Sequence, residues 1–154
     1  MTYAATRLSD CAMIEYTRST TQTASTGTVL LFDTKRTTGG DSVSINSSTG
    51  EITLASDRRY WIQCSCAIER SANSDYEIQF QNNNGTALTE SDGNFRAYDR
   101  RDLTVTDYPM QNSSYVASLI VDNPSISYRV VATLMPASST VLSATHLFIF
   151  ELSN

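Results

Sequence analysis

Few side chains in this 154-residue sequence are suited to catalysis. His146 is the single histidine, and so the only imidazole that could act as a general base. Acyl transfer by a serine needs such a base beside the nucleophile, and the sequence has no Gly-x-Ser-x-Gly turn to present that serine. A lone histidine at the start of an apolar segment is typical of a surface or interface residue. We therefore expect a protein that is not an enzyme and has no small-molecule substrate.

Three cysteines, Cys11, Cys64 and Cys66, are candidates for a disulfide or a metal site. On a strand, Cys64 and Cys66 would share a face with their Cα atoms about 6.6 Å apart, which is near the upper limit for a disulfide. A zinc site needs four ligands, and only His146 is left to join the thiols. We expect buried, reduced thiols that pack as small hydrophobic side chains, with no metal and no other cofactor.

Acidic residues gather in candidate loops, where their oxygen atoms could bind calcium. They are Glu90, Asp92, Asp99, Asp102 and Asp107. The sequence has no Asp-x-Asp-x-Asp-Gly loop, and three arginines lie among these acids. Solvated ion pairs are therefore the favoured interpretation, and calcium is the alternative.

The same region carries three aromatic residues that we place in loops, Phe95, Tyr98 and Tyr108. Aromatic side chains on loops can bind sugars or proteins. They can equally cover the open end of a β-sandwich, which is the commoner case. The sequence leaves both interpretations open.

The composition is that of a globular protein with a neutral, polar surface. Apolar residues make up 40% of the chain and charged residues 18%, below the usual fraction of about 25%. Such a surface suits a protein that packs into an assembly, where each buried charge would need a partner. The net charge of −5 and the absence of a basic run argue against nucleic acid, because phosphate contacts require a concentrated basic face.

The sequence also argues against a membrane partner. No apolar run approaches the length of about 20 residues that spans a bilayer. The first seven residues lack the charged start and apolar core of a signal peptide. We expect a soluble protein that is made in the cytoplasm.

Short alternating segments separated by turns predict an all-β fold. In residues 76–81, three buried positions alternate with polar ones, and Asn84-Gly85 follows as a tight turn. A longer inward row is predicted in residues 60–68, formed by Tyr60, Ile62, Cys64, Cys66 and Ile68. Other strand candidates are residues 43–46, 51–54, 103–106, 115–121 and 126–134. Residues 8–16 give the one weak helix signal.

Residues 1–26 are polar and rich in threonine, whereas residues 27–154 carry the strand signals. Alone, the first segment has too little apolar surface to offset its ordering entropy. We expect an extended N-terminal arm, held by a neighbouring subunit or alternatively by the body of its own domain. The arm residues expected to contact a partner are Tyr3, Arg7, Leu8, Met13, Ile14, Tyr16 and Arg18.

Two candidate strands are apolar on both faces, where an antiparallel sandwich needs only one apolar face. They contain Val29, Leu30, Leu31 and Phe32, and Leu147, Phe148, Ile149 and Phe150. Exposing the second row would cost about 1.5–3 kcal/mol for each large side chain. The sequence therefore predicts that a partner subunit covers it, with loops or the arm of the same chain as the alternative.

The order and spacing of these segments over residues 27–153 resemble the tumour necrosis factor superfamily and the globular heads of the first complement component. The similar features are the apolar segment 29–32, the Thr49-Gly50 turn before a short and then a long aromatic strand, and the aromatic last strand, 147–152. The resemblance implies an antiparallel two-sheet jelly-roll sandwich whose first and last strands are neighbours at a threefold interface. It therefore implies a homotrimer.

Bacteriophages use the same jelly-roll in trimeric capsid decoration (cement) proteins and in fibre heads, and the threonine-rich arm makes the chain similar to that group. The resemblance implies a structural virion protein on the capsid surface, which binds the major capsid protein and stabilises the head. One alternative is the receptor-binding head of a tail or head fibre that recognises a host glycan or protein. A signalling ligand of the tumour necrosis factor type is a further alternative.

Overall fold

The computed structural model describes residues 12–37, 41–69, 74–86, 88, 96–99, 113–122 and 124–152, with the backbone alone at residues 12, 96–99 and 113–115. These residues form two antiparallel β-sheets, and no helix is found in these ranges. Accordingly, no helix in the described part of the chain is long and apolar enough to cross a membrane.

The strands are β1 (Ala12–Thr17), β2 (Gln22–Ala24), β3 (Thr34–Lys35), β4 (Val43–Ile45), β5 (Ile52–Leu54), β6 (Arg59–Glu69), β7 (Tyr76–Asn82), β8 (Arg96–Asp99), β9 (Ser113–Asp122), β10 (Tyr128–Leu134), β11 (Ser139–Val141) and β12 (His146–Leu152). The large sheet has the order β3-β1-β12-β6-β9, and β11 and β2 extend it beyond the end of β12. The small sheet has the order β4-β5-β10-β7-β8. The chain passes repeatedly from one sheet to the other, which confirms the predicted all-β jelly-roll sandwich.

The core lies between the two sheets, where the alternating residues of β6 and β7 meet. The burial pattern of β6 alternates along most of its length, as its sequence predicts. The fully buried side chains of these two strands are Tyr60, Ile62, Cys64, Cys66, Ile68, Tyr76, Ile78 and Phe80. Because successive side chains of a strand point to opposite faces, the other residues of β6 must lie on the outer side of the large sheet.

Cys64 and Cys66 are free thiols inside this core, as predicted. Burial raises the pKa of Cys64 well above its usual value and that of Cys66 to about 12. Since the thiolate is the reactive form, we expect neither residue to be alkylated by iodoacetamide at pH 8 in the native protein. Peptide mass spectrometry should find both thiols modified only after denaturation. Rapid labelling in the native state would contradict their burial.

The prediction of a separate N-terminal arm is wrong for residues 12–26, the part of the arm that the structure describes. β1 pairs with β12 along its whole length, from Ala12 opposite Glu151 to Thr17 opposite His146, and β3 borders its other side. This pairing satisfies the backbone of β1 on the side of β12, and it excludes the predicted weak helix over residues 12–16, the part of that segment that the structure describes. Residues 12–24 therefore belong to the jelly-roll, held by the body of their own chain.

The sequence predicts that residues 29–32 form a strand at the subunit interface. The structure contradicts this prediction as well. Val29 makes an isolated bridge to Val131, and the Leu30 N–H donates to the Val130 carbonyl at 2.9 Å, so the segment borders β10 of the small sheet. On its other side, the Gln22 amide donates to the Val29 carbonyl at 2.8 Å and accepts from the Leu31 N–H at 3.2 Å. A side chain thus takes the place that a neighbouring strand would occupy.

Gly50 lets the β4–β5 turn approach this segment closely. Its φ is +70°, and an added Cβ would lie 2.6 Å from the Leu30 carbonyl oxygen and 2.6 Å from Val29 Cγ1. We expect Gly50→Ala to lower the free energy of unfolding by about 3 kcal/mol, from backbone strain and displacement of the segment.

Gly27 provides the matched control for that substitution. It has φ +90° with no atom within 4 Å of an added Cβ, so Gly27→Ala adds strain alone, about 1 kcal/mol. Urea denaturation at one protein concentration measures both variants. Equal losses would contradict the close approach at Gly50.

Candidate subunit interface

A row of large apolar side chains crosses the outer face of the large sheet. Met13 of β1 lies opposite Phe150 of β12, Phe150 opposite Trp61 of β6, and Trp61 opposite Ile120 of β9. We call these four residues the apolar row. With adjacent strands about 4.8 Å apart, the row spans roughly 14 Å.

Three of the four side chains of the apolar row are exposed, and Phe150 is half-buried. The exposed fractions are 46% for Met13, 39% for Trp61 and 47% for Ile120. Val116, also 47% exposed, lies on the same face of β9, four residues from Ile120. Four of the six large hydrophobic residues that the described ranges expose therefore share one face of one sheet. Such clustering marks an interaction surface, whereas scattered single residues would not.

Aromatic stacking fixes the centre of this face. The rings of Trp61 and Phe150 stack with their centroids 5.1 Å apart and an angle of 24° between the planes. Both side chains are therefore oriented before any partner binds. A preorganised aromatic pair loses little conformational freedom on association, which favours tight packing.

One polar pair adjoins the apolar row. His146 Nδ1 lies 2.7 Å from Glu15 Oε1, and the imidazole stacks on Phe148 with the ring centroids 5.7 Å apart. Ser65 is the register partner of His146 on β6, but within the described residues no hydrogen bond joins the imidazole to a serine. The Glu15 carboxylate and the Phe148 ring therefore fix the position of this imidazole on the outer face.

The structure divides the residues that the sequence predicts for the subunit interface. Phe148 and Phe150 lie half-buried on the outer face of the large sheet. Leu147 and Ile149 are fully buried in the core of a single chain, so they cannot contact a partner. The same correction applies to Leu30 and Phe32, and their neighbours Val29 and Leu31 belong to a segment that borders the small sheet.

The residues predicted to bind a partner through the arm divide in a similar way. Met13 is exposed in the apolar row. Ile14 and Tyr16 point into the core, where burial raises the pKa of Tyr16. Arg18 is 6% exposed and binds its own chain. These three residues are therefore structural. Tyr3, Arg7 and Leu8 lie outside the described residues.

Of the predicted loop aromatics, only Tyr98 falls in the described part of the chain. Its backbone belongs to β8, opposite Glu77, so its placement in a loop is wrong. Phe95 and Tyr108 lie outside the described residues, as do Glu90, Asp92, Asp102 and Asp107 of the acidic cluster.

Sequence reasoning missed Trp61, Val116 and Ile120 as interface candidates. A signal for them is present, because Trp61 stands between two core residues of a long alternating strand. Ile120 likewise stands between Leu119 and Val121, which makes β9 apolar on both faces. The doubly apolar character therefore extends to β9, the neighbour of β6.

Solved structures of low sequence identity share this architecture. The globular domain of a zebrafish complement 1qA protein matches with a TM-score of 0.61 at 12% identity, over 92% of this chain and 97% of that one. An Eiger tumour necrosis factor from S. frugiperda gives 0.67 at 10% identity, over 94% and 92%. Murine APRIL gives 0.62 at 9%, over 93% and 100%. The chain has the tumour necrosis factor and complement 1q jelly-roll fold.

No protein-family model and no curated protein matches the sequence. At identities of 9–12% the similarity is one of backbone architecture. In this jelly-roll the strand beside β12 is β1, and not the segment 29–32 that the resemblance implies. The apolar row lies across these two strands and their neighbours β6 and β9.

Proposed function

We propose that the chain is a homotrimeric structural or binding protein without catalytic activity, and that its subunits pack through the outer face of the large sheet. The apolar row is the observation that carries this proposal. Burying each of its large side chains stabilises an assembly by about 1.5–3 kcal/mol. Apart from this face, the described residues expose two large hydrophobic side chains, Ile126 and Leu134.

The charge on this face supports a second copy of the chain as the partner. The chain has a net charge of −5, so its copies repel one another at long range. The central rows of the face carry one carboxylate, Glu15, and His146 lies against it. Few charged side chains therefore lie near the apolar row, so close packing of copies there desolvates few charges. The threefold arrangement follows the resemblance to tumour necrosis factor and complement heads.

Light scattering coupled to size exclusion tests the assembly. The expected mass is three times the subunit mass of 17.0 kDa, constant over a range of protein concentrations. A stable monomer would overturn the proposal, and a dimer would overturn the threefold arrangement.

For the biological role we propose capsid decoration, in which the trimer binds the major capsid protein of a bacteriophage and clamps neighbouring capsomers. The neutral polar composition, with 18% charged residues, and the resemblance to phage jelly-roll proteins support this role. Since β1 begins at Ala12, a chain that starts at Ala12 retains every described strand and removes only the preceding segment.

Capsid shells assembled without the protein would be incubated with the full chain and with the chain that starts at Ala12. If the first eleven residues form the clamp, the shorter trimer should fail to decorate the shells. Equal decoration by both trimers would contradict the clamp. No decoration by either one, together with binding to host cells or glycans, would favour the receptor-binding head of a fibre.

A further inference from the structure

The turn that follows β7 contains Asn84-Gly85, the single Asn-Gly pair of the sequence. In such a pair the backbone nitrogen of the glycine can attack the asparagine side chain, because glycine has no Cβ to obstruct the approach and adopts many backbone conformations. Both residues are exposed, and so are their neighbours Asn83 and Thr86. Water and hydroxide therefore reach this turn directly from the solvent.

The side-chain amide of Asn84 makes no hydrogen bond within the described ranges. Other asparagines there are held by the backbone. Asn82 Oδ1 accepts from the Asn84 N–H at 3.0 Å and from the Thr86 N–H at 2.9 Å. Asn46 Oδ1 accepts from two backbone N–H groups of its own turn at 3.0 and 3.2 Å. Asn84 therefore combines a free side chain with the following glycine that the reaction favours.

The same turn restrains the attacking nitrogen. The Gly85 N–H donates to the Asn82 carbonyl at 3.0 Å, and the Asn82 N–H donates to the Thr86 carbonyl at 3.1 Å. While the first of these bonds is closed, the Gly85 nitrogen keeps its proton and points away from Asn84 Cγ. Exposed backbone hydrogen bonds open locally without global unfolding. The attack therefore waits for the turn to open, and the hydrogen bonds of Asn82 set how often it opens.

We propose that Asn84 is a site of spontaneous deamidation, and that the hydrogen bonds of Asn82 limit its rate. Hydroxide removes the Gly85 N–H proton, and the nitrogen attacks Asn84 Cγ. The bond from Cγ to the side-chain nitrogen breaks, and this nitrogen leaves as ammonia after taking a proton from water. The cyclic imide that remains adds one water. Opening at Cγ gives aspartate, and opening at the main-chain carbonyl carbon gives isoaspartate, with no change of oxidation state.

The modification changes both the charge and the backbone of the turn. A neutral amide becomes a carboxylate, so the net charge of −5 becomes more negative by one unit. Isoaspartate also inserts the side-chain methylene into the main chain between residues 84 and 85, which disturbs the bond from the Gly85 N–H to the Asn82 carbonyl. The site is independent of the proposed trimer, because the turn follows a strand of the small sheet.

Incubation of the native protein at pH 8 tests the site. Anion exchange follows the added charge, and peptide mapping after digestion at mildly acidic pH locates aspartate and isoaspartate. Both products should accumulate at residue 84, while Asn46, equally exposed but followed by Ser47, stays unchanged as the internal control. Asn84→Gln should abolish the acidic species, because glutamine would have to form a larger ring. No conversion at residue 84, or equal conversion at residue 46, would overturn the proposal.

Two substitutions of Asn82 test the restraint on the rate. Asn82→Ala removes the oxygen that accepts from the Asn84 and Thr86 N–H groups, so deamidation of the native protein should be roughly tenfold faster. Asn82→Asp keeps an acceptor oxygen and is the matched control, with a rate near that of the unsubstituted chain. In urea all three chains should react equally fast. An unchanged native rate in Asn82→Ala, with circular dichroism showing an intact fold, would contradict the role of Asn82.

Discussion

Replacing Trp61 with glutamate is expected to convert the proposed trimer into a folded monomer. Trp61 is 39% exposed in one chain and stands between Phe150 and Ile120 in the apolar row, so the substitution leaves the core intact. Each subunit loses about 2 kcal/mol of apolar burial, and the new carboxylate would be buried without a partner. Over three subunits the loss of burial alone weakens assembly roughly 10⁴-fold.

Leu134 is the matched control for that experiment. It is 42% exposed, close to the value for Trp61, but belongs to β10 in the small sheet. Leu134→Glu should therefore remain trimeric when both variants are compared by light scattering. Circular dichroism checks that both keep the β fold. A Trp61→Glu protein that stays trimeric with an intact fold would show that the subunits associate through another surface.

The sequence predicted the strands whose residues alternate regularly. β6 and β7 each place apolar residues at every second position, and the predicted inward rows are the buried rows of the structure. This success has a physical reason. A strand between water and a core needs only local periodicity to fix which side chains are buried.

The sequence could not predict β1 in the same way. The segment 12–17 is short, and its strand partners Glu151 and His146 are more than 120 residues away along the chain. Local polarity argued for an arm, but long-range pairing with β12 decides the structure. Segment 29–32 shows the converse case. Its four consecutive apolar residues predict a strand, whereas the structure has a single bridge at Val29 and no regular strand. Leu30 and Phe32 are indeed buried, while side chains from residues 18 and 22 supply much of the hydrogen bonding.

For a related reason, the sequence predicted only part of the candidate interface. Two apolar faces on β12 are visible in the sequence, but which face meets the core depends on register with β1 and β6. The structure assigns Leu147 and Ile149 to the core and Phe148 and Phe150 to the outer face. Cross-strand register also assembles Met13 and Trp61, distant in sequence, into one row.

Arg18 is expected to be the polar residue whose loss destabilises a single chain most. Its guanidinium donates to the Leu31 carbonyl, to Gln22 Oε1 at 2.8 Å and to the Thr20 carbonyl at 3.1 Å. These hydrogen bonds connect segment 29–32 to the residues that follow β1. Burial lowers the pKa of Arg18, and the nearby Asp33 carboxylate opposes that change. We expect Arg18→Met to lower the free energy of unfolding by about 3 kcal/mol, since methionine fills the space but donates no hydrogen bond.

Urea denaturation of Arg18→Met is best measured in the Trp61→Glu background, where unfolding does not depend on protein concentration. Arg36→Gln is the matched control, because Arg36 is exposed and, among the described residues, its side chain donates to the Thr17 hydroxyl alone. Its loss should stay below about 1 kcal/mol. If Arg18→Met cost as little, the network around Leu31 would contribute nothing to folding. Residue 18 would then again be a candidate for binding a partner, which is the role the sequence predicts and its burial contradicts.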